Sequence, residues 1–303
     1  MSLSFWSISS GVMRWSCPSA CSFTCSRDCA ARGSGNVKRA ARRPRMENGR
    51  CLKEFLLPFC SEVVNCGLGI MRIAIVSDIH GNLPAFEAVL KNIDTSAVDV
   101  IYCLGDTVGY GPYPDECVTL VRERCAVTLK GNHDSGLLLE TPLEDFNMYG
   151  MKAILWSRKE VSAGNQAFLR DLPFTAVQHE CTFAHASPHL PDTWRYVLTL
   201  RAAQENFGAF TTDVCFIGHT HVPVIIGEDG SINRMKNKGR YIINVGSVGQ
   251  PRDHNPDAAF GIFDTGSKFY QLVRVPYDIQ KSMQAIRSAG LPEFLAHRLS
   301  LGI

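Results

Sequence analysis

From residue 71 onward, short continuous apolar runs alternate with segments whose apolar residues recur at helical spacing. Arg72–Ser77 (RIAIVS) is an unbroken apolar run between polar residues, the pattern of a strand covered on both faces. Pro84 to Asn92 carries Phe86, Val89 and Leu90 on one helical face, with a proline near the start. Val100–Leu104 is a second buried strand ending in Gly105-Asp106, and the Gly/Pro-rich stretch Gly109–Pro114 is a loop. A helix is predicted over Asp115–Arg124 and a third strand over Ala126–Lys130, which runs into Gly131-Asn132-His133-Asp134.

Beyond this, helices are predicted over 146–158, 164–170 and 199–207. Strands are predicted over Cys181–Ala184, Val214–Ile217, Tyr241–Val245, Phe260–Asp264 and Phe269–Val275, and two helices between Asp278 and Ser300. The first half thus alternates β and α, which calls for a parallel sheet. The second half is strand-rich with short connections, which predicts an antiparallel sheet. Two packed sheets with helices outside, an α/β protein of the α+β type without internal repeats, is the expected assembly.

Metal-ligand residues stand where the strands end. Asp78 and His80 follow the first strand, Asp106 the second, Asn132 the third, His185 the run Cys181–Ala184, and His219 and His221 the run Val214–Ile217. Open α/β sheets bind ligands beyond the carboxyl ends of their strands, so these scattered residues are predicted to share one mouth. In extended chain, positions i and i+2 point the same way, which would bring Asp78 with His80, and His219 with His221, to one ion. Singly, each motif has a plainer explanation: Gly-Asp is a common turn, Asn132 an ordinary helix start, and a histidine in an apolar run a packed core residue. Their joint occurrence in this order outweighs those alternatives. The donors are carboxylate, amide oxygen and imidazole without thiolate, which suits Mn, Fe, Zn, Co or Ni, with Mn the first expectation. Seven ligands exceed the needs of one ion, and a shared carboxylate, most simply Asp106, would hold two. His179, His189, His254 and His297 lack motif support and are treated as non-ligands, His189 being near enough in sequence for a substrate contact.

Charge and cysteine usage divide the chain. Residues 1–70 carry ten Lys+Arg against four Asp+Glu, a net of +6, and the remainder 21 against 25, a net of −4. The mildly acidic body gives no electrostatic case for broad nucleic-acid binding. Seven of the twelve cysteines precede residue 67, with Cys17, Cys21, Cys25 and Cys29 four apart, a poor match to zinc-ligand spacing. The other five are scattered singly among apolar residues, as reduced thiols in a cytoplasmic protein would be. No apolar run is long enough to span a bilayer. Residues 1–70 hold no histidine and read as a disordered extension or an upstream translation artefact, with a transit peptide as the alternative. Met71 directly precedes the first strand, so the folded domain is expected over 71–303.

The ordered blocks Asp78-Ile79-His80, Gly105-Asp106, Gly131-Asn132-His133-Asp134, His185 and Gly218-His219-Thr220-His221 resemble the calcineurin-like metallophosphoesterase superfamily over residues 71 to about 275. That resemblance implies a four-layer α/β/β/α double β-sandwich. It implies one metal held by Asp78, His80, Asp106 and His221, a second by Asp106, Asn132, His185 and His219, and His133 as the catalytic histidine. Gly105-Asp106 is not followed by the Asp-Arg-Gly of the Ser/Thr phosphatases. The Gly109–Pro114 loop and the segment Ile243–Asp253 look like the compact bacterial and archaeal phosphodiesterase branch. The expected reaction is hydrolysis of a small phosphodiester or phosphomonoester by a metal-bridging water. A dinucleoside polyphosphate hydrolase is one alternative, and a non-catalytic scaffold of the same fold, which would lack His133, is another. Asp134 is expected to orient a ligating imidazole. Asn244, Ser247 and Arg252 are expected to meet substrate phosphate, with a surface ion pair to Asp253 or Asp257 as the other reading of Arg252.

Overall fold

A computed structural model describes residues 70–236 and 238–303. The extension expected over residues 1–70 thus lies, Ile70 apart, outside the described residues. In chain order the elements are β1 (Arg72–Val76), α1 (Leu83–Asp94), β2 (Val100–Cys103), α2 (Pro114–Arg124), β3 (Val127–Thr128), α3 (Asn132–Leu137), α4 (Met148–Glu160), α5 (Ala163–Arg170), β4 (Thr175–Gln178), β5 (Cys181–Ala184), α6 (Leu200–Asn206), β6 (Val214–Ile217), β7 (Val224–Gly227), β8 (Tyr241–Asn244), β9 (Ala258–Asp264), β10 (Phe269–Val275), α7 (Ile279–Ser288) and α8 (Glu293–Leu301). Local chemistry sets the helix starts: the side chains of Asn82, Asn147, Ser162, Thr199 and Asp278 accept from backbone N–H groups in the first turns of α1, α4, α5, α6 and α7.

The strands form two five-stranded mixed sheets, ordered β10-β9-β1-β2-β3 and β4-β5-β6-β8-β7. In the first, β1, β2 and β3 run parallel and β9 and β10 extend the β1 edge antiparallel. In the second, β5, β6 and β8 run parallel, flanked by antiparallel β4 and β7. This corrects the expectation that the second half builds an antiparallel sheet. Its central strands β5, β6 and β8 are buried along their whole length, the signature of parallel strands covered on both faces, and β9 and β10 join the first sheet instead.

Strand alternation sorts side chains into layers. Ile73 and Ile75 of β1 meet Phe183, Phe216, Tyr241, Ile243 and Phe263 between the sheets, while Ala74 and Val76 face the core under α1 and α2. Cys215, Ile217 and Ile242 on the far side of the second sheet pack with Ala203, Phe207 and Phe210 in and beside α6. Helices therefore cover both outer faces, and the fold is an α/β sandwich as expected. Phe183 and Phe216 are wholly buried between the sheets, where truncation of either to Ala costs about 3–5 kcal/mol. Among the described residues no helix is long and apolar enough to cross a membrane.

Candidate metal centre

The loops leaving β1, β2, β3, β5 and β6 converge, and all seven expected ligands are buried there, none more than 9% exposed. The backbone achieves this differently from the extended geometry inferred from spacing. Asp78 (φ 54°), His80 (φ 50°), Asp106 (φ 53°), His219 (φ 66°) and His221 (φ 60°) all occupy the left-handed region. That region is uncommon for non-glycine residues, and such strain concentrates at functional sites. In both the Asp78-Ile79-His80 and His219-Thr220-His221 triplets the outer residues are left-handed, which turns the two outer side chains inward.

Asp78, His80 and His221 form one cluster of candidate donors, Asp106, His185 and His219 a second, and His80, Asp106 and His133 a third that overlaps both. His221 Nε2 is 3.2 Å from Asp78 Oδ1, and His80 Nε2 is 3.8 Å from the same oxygen. Asp106 Oδ2 stands between the clusters, 3.6 Å from His80 Nε2 and 3.4 Å from His185 Nε2. Asn132 Oδ1 completes the second group, 3.2 Å from His185 Nε2.

Backbone carbonyls orient the rings. Nδ1 of His80 lies 3.0 Å from Val108 O, Nδ1 of His185 3.1 Å from Leu104 O, and Nδ1 of His221 2.6 Å from Gln250 O. A ring nitrogen facing a carbonyl carries a proton, so Nε2 of His80 and of His221 presents its lone pair to the centre. His80 Nε2 and His221 Nε2 consequently face each other at 3.1 Å as two acceptors, an arrangement a shared cation would relieve. Asp78 Oδ1 and His219 Nε2 are buried with no hydrogen-bond partner. Orphaned acceptors around an acid-rich centre are what a metal site needs, and the donor set fits divalent transition metals.

The electrostatics agree. Burial lowers His80, His219 and His221, His219 to about 3, so these rings are neutral near pH 7, the form that ligates. Burial opposes ionisation of Asp78 and Asp106, but facing imidazoles, chiefly His221 and His185 respectively, outweigh it and hold both carboxyls below the usual range. His185 differs: burial works against its charge, yet Asp106 beside it raises that ring to about 9, so without a metal it keeps a second proton that a bound cation would displace.

His133 lies beside the expected ligands, close enough to His80 and Asp106 to share a donor cluster with them. Its ring centroid is 4.7 Å from that of His80 and 4.5 Å from that of Tyr110, and its Nδ1 has no partner. Burial pulls it down to about 4. Asp134 does not orient an imidazole, as its spacing suggested. Its carboxylate accepts from the backbone N–H groups of Asp106, Thr107, Val108 and Gly131 and so shapes the loop carrying Asp106. Asn244 and Ser247 are also committed to the chain. Asn244 donates to Gly218 O and Thr220 Oγ1 and accepts from Gly246 N, while Ser247 donates to Asp78 O and accepts from Gln250 N. Both are wholly buried supports of ligand loops rather than groups presented to a substrate.

Arg252 lies beside the centre, with Cζ 5.9 Å from the ring centroid of Tyr110, and its charge helps to lower His133 and His221. It donates to Gln250 Oε1 at 3.0 Å, and its Nε is buried without a partner. Asp253, its neighbour in sequence, pairs with Arg274 instead. His189, His254 and His297 are exposed and His179 sits in the turn between β4 and β5, all outside the clusters.

Three aromatic residues around the ligands were not singled out from sequence. Tyr196 stacks on His219 with centroids 4.0 Å apart, Trp194 meets His185 edge-on at 5.9 Å, and Tyr110 meets His80 at 4.7 Å. Tyr110 belonged to a recognised turn-rich loop, but Trp194 and Tyr196 lie in irregular chain with no motif to mark them.

With the fold and centre in place, the comparisons with known proteins are specific. The calcineurin-like phosphoesterase superfamily domain matches residues 71–268, and the chain belongs to that family as a phosphoester hydrolase. An uncharacterised protein of Methanocaldococcus jannaschii, MJ0912, is 41% identical over 241 residues, covering 76% of this chain and 98% of its own. The phosphodiesterase YfcE of Escherichia coli K12 is 27% identical over 196 residues, 64% of this chain and 88% of its own. The crystal structure of a metallophosphoesterase from Sphaerobacter thermophilus shares 41% identity and superposes with a TM-score of 0.69 over 77% of this chain and 100% of that one.

Proposed function

We propose that this chain hydrolyses small phosphodiesters, and phosphomonoesters as a second class, using two divalent transition-metal ions of which Mn is the first choice. The observation that carries the reading is the pair of buried donor clusters joined at Asp106 Oδ2, with three imidazoles locked by carbonyls so that Nε2 faces inward. Asp78, His80, Asp106 and His221 would hold one ion, and Asp106, Asn132, His185 and His219 the other. Bound there, the ions supply a water acidic enough to attack at neutral pH and positive charge beside the phosphoryl oxygens. The E. coli relative named as a phosphodiesterase supports the substrate class, and the scattered buried thiols support a cytoplasmic setting.

The chain's own residues then have distinct tasks. Attack forms one P–O bond and breaks another, and the departing oxygen gathers negative charge. His133, neutral near pH 7 with Nδ1 uncommitted, meets that oxygen as a hydrogen-bond donor whose bond strengthens as charge develops, and the proton the oxygen finally takes is the one released by the attacking water. Arg252 brings donors suited to phosphate oxygens. The presence of His133 beside a complete donor set favours an enzyme over a scaffold. The test is hydrolysis of bis(4-nitrophenyl) phosphate before and after chelation and dialysis. Activity should vanish and return best with Mn; undiminished turnover in the chelated protein sinks the reading.

A further inference from the structure

An apolar groove of about 180 Å³ adjoins the centre on the side of His219. Two stretches of chain lead to it directly from the expected ligands. Tyr196 stacks on His219 with centroids 4.0 Å apart, and the next residue, Val197, lines the groove. Thr220, between His219 and His221, lines it too. Leu198, Leu200, Val222, Val224 and Ile232 supply most of the remaining wall. No charged side chain borders the groove, and its two hydroxyls are engaged. Thr199 Oγ1 accepts from Ala202 N, and Thr220 Oγ1 accepts from Val222 N and Asn244 Nδ2. What the lining side chains offer is therefore hydrocarbon surface, with no free donor or acceptor for a sugar or a base. Tyr196, Leu198, Leu200 and Ile232 are nonetheless 51, 68, 40 and 54% exposed. Single exposed apolar residues need no explanation, but four together, running outward from a metal-ligating position, mark a binding surface.

We propose that this groove, entered over Tyr196, takes a hydrocarbon ester group of the substrate, so that the preferred phosphodiester carries one alkyl or phenyl arm. This rests on the hydrolase reading above and narrows its substrate. The size fits one such arm: an apolar cavity of about 150 Å³ takes a single benzene ring, so about six carbons fill the groove. A contact between two copies of the chain would use about 20–30 residues a side, against the few exposed apolar side chains here. The geometry also says which arm is held. His133, which meets the departing oxygen, packs among His80, Tyr110 and Phe146, whereas the groove adjoins His219 in the other donor cluster. The arm in the groove is thus the one that stays on phosphorus. The oxygen of water bonds to phosphorus, the bond to the departing alcohol oxygen breaks, and a proton of that water ends on the alcohol. The hydrocarbon arm leaves as a phosphomonoester.

The test uses the full chain loaded with Mn and a series of 4-nitrophenyl alkyl phosphates, methyl to decyl, in which the leaving group is constant. In the wild type kcat/KM should rise about threefold per methylene, the effect of burying one CH₂ in a groove open on one side, and level off near about six carbons. The gain should appear in KM with kcat steady, because the arm is held alike before and during reaction. Leu198→Asn and Ile232→Asn change exposed side chains, so folding is not at stake, and each should lower the hexyl-over-methyl ratio of kcat/KM by about five- to tenfold. A flat series in the wild type, or an unchanged ratio in both variants, overturns the groove's role while leaving the hydrolase reading intact. If no member of the series is turned over, the hydrolase reading falls and calorimetry with methyl and hexyl phosphate decides the groove. Hexyl phosphate should then bind about tenfold or more tightly than methyl phosphate, and equal affinities overturn the proposal. Size-exclusion chromatography addresses the other occupant: a wild-type dimer that both substitutions split, together with a flat series, makes the groove a contact between copies and overturns the proposal.

Discussion

Gly109 offers a way to move His133 without touching a ligand. It sits at φ +93°, and a Cβ built on it would lie 2.3 Å from His133 Nδ1 and 3.0 Å from its Cγ. Ordinary contact begins near 3.4 Å, so Gly109→Ala obliges the ring to retreat by about 1 Å. Phe146, Tyr110 and His80 surround that ring with centroids 5.1, 4.5 and 4.7 Å away, so it leaves its place by rotating rather than by a small slide. Misplacement of a reacting group by 1 Å costs about 10²-fold in rate, and we expect that loss in kcat on an aryl phosphodiester. The positive φ adds about 1–3 kcal/mol of lost stability, visible as a lower Tm. Metal content should be unchanged, because the closest atoms to the new methyl all belong to His133. Gly131→Ala is the contrasting variant: its Cβ would meet Asp106 Oδ1 at 2.1 Å, so it should lose metal. Gly164→Ala, with nothing within 4 Å, is the neutral control. Wild-type kcat in Gly109→Ala, or metal loss from it, refutes the placement of His133 as a non-ligand group facing the substrate.

His133→Ala should lower turnover by about 10²–10⁴-fold with both metals retained, and least for the most acidic leaving group; loss of an ion on elemental analysis would make it a ligand. Asp106→Asn should reduce bound metal below two ions per chain, since its Oδ2 faces both clusters; a variant that keeps two ions removes the shared carboxylate from the argument. Stability of the metal-free protein should peak near pH 6.5. His80, His133, His219 and His221 have folded-state values below 6.5, so stability falls as pH drops from there towards about 4 and 3. His185 is raised to about 9, so its contribution is full below 6.5 and is lost as pH rises to about 9. Thermal melts at constant ionic strength check this, and a Tm that climbs steadily to pH 9 contradicts it.

What could be read from the chain follows from where its signals are local. Continuous apolar runs located β1, β2, β5, β6 and β8, and helical apolar spacing located most helices within two or three residues. Strand partners are a long-range property: β5, β6 and β8 pair parallel, and β7, over which no strand was expected, is an edge strand laid antiparallel against β8. The edge strand β4 was missed because three of its four residues are exposed and carry no apolar run. In the site, the gathering of candidate ligand types at strand ends was legible because side-chain chemistry is local. The tasks of Asp134, Asn244 and Ser247 were not, because a polar residue near a ligand serves substrate or backbone according to contacts 26 to 169 residues away.

The spacing of two in Asp78-x-His80 and His219-x-His221 was legible, yet its physical cause is not the extended strand. Each triplet has left-handed outer residues, and five of the seven ligands have positive φ. At about 1–2 kcal/mol each, such strain totals about 5–10 kcal/mol, comparable to the whole stability of a domain. It persists because hydrogen bonds continue the sheet beyond its strands. Asp78 N donates to Gly105 O, His80 N to Asp106 O, Gly249 N to Asp78 O and Arg252 N to His221 O, at 2.9 to 3.2 Å. Asp134 ties down the Asp106 loop, Ser247 holds Asp78 O, and Asn244 holds Gly218 and Thr220. Ile79, between the first two ligands, is driven into the core under α1, which leaves its neighbours to face the centre. The residues that looked like substrate contacts therefore act one step earlier. They stabilise a backbone that would otherwise relax, and that backbone fixes the lone pairs of His80 and His221 opposite each other before any cation arrives.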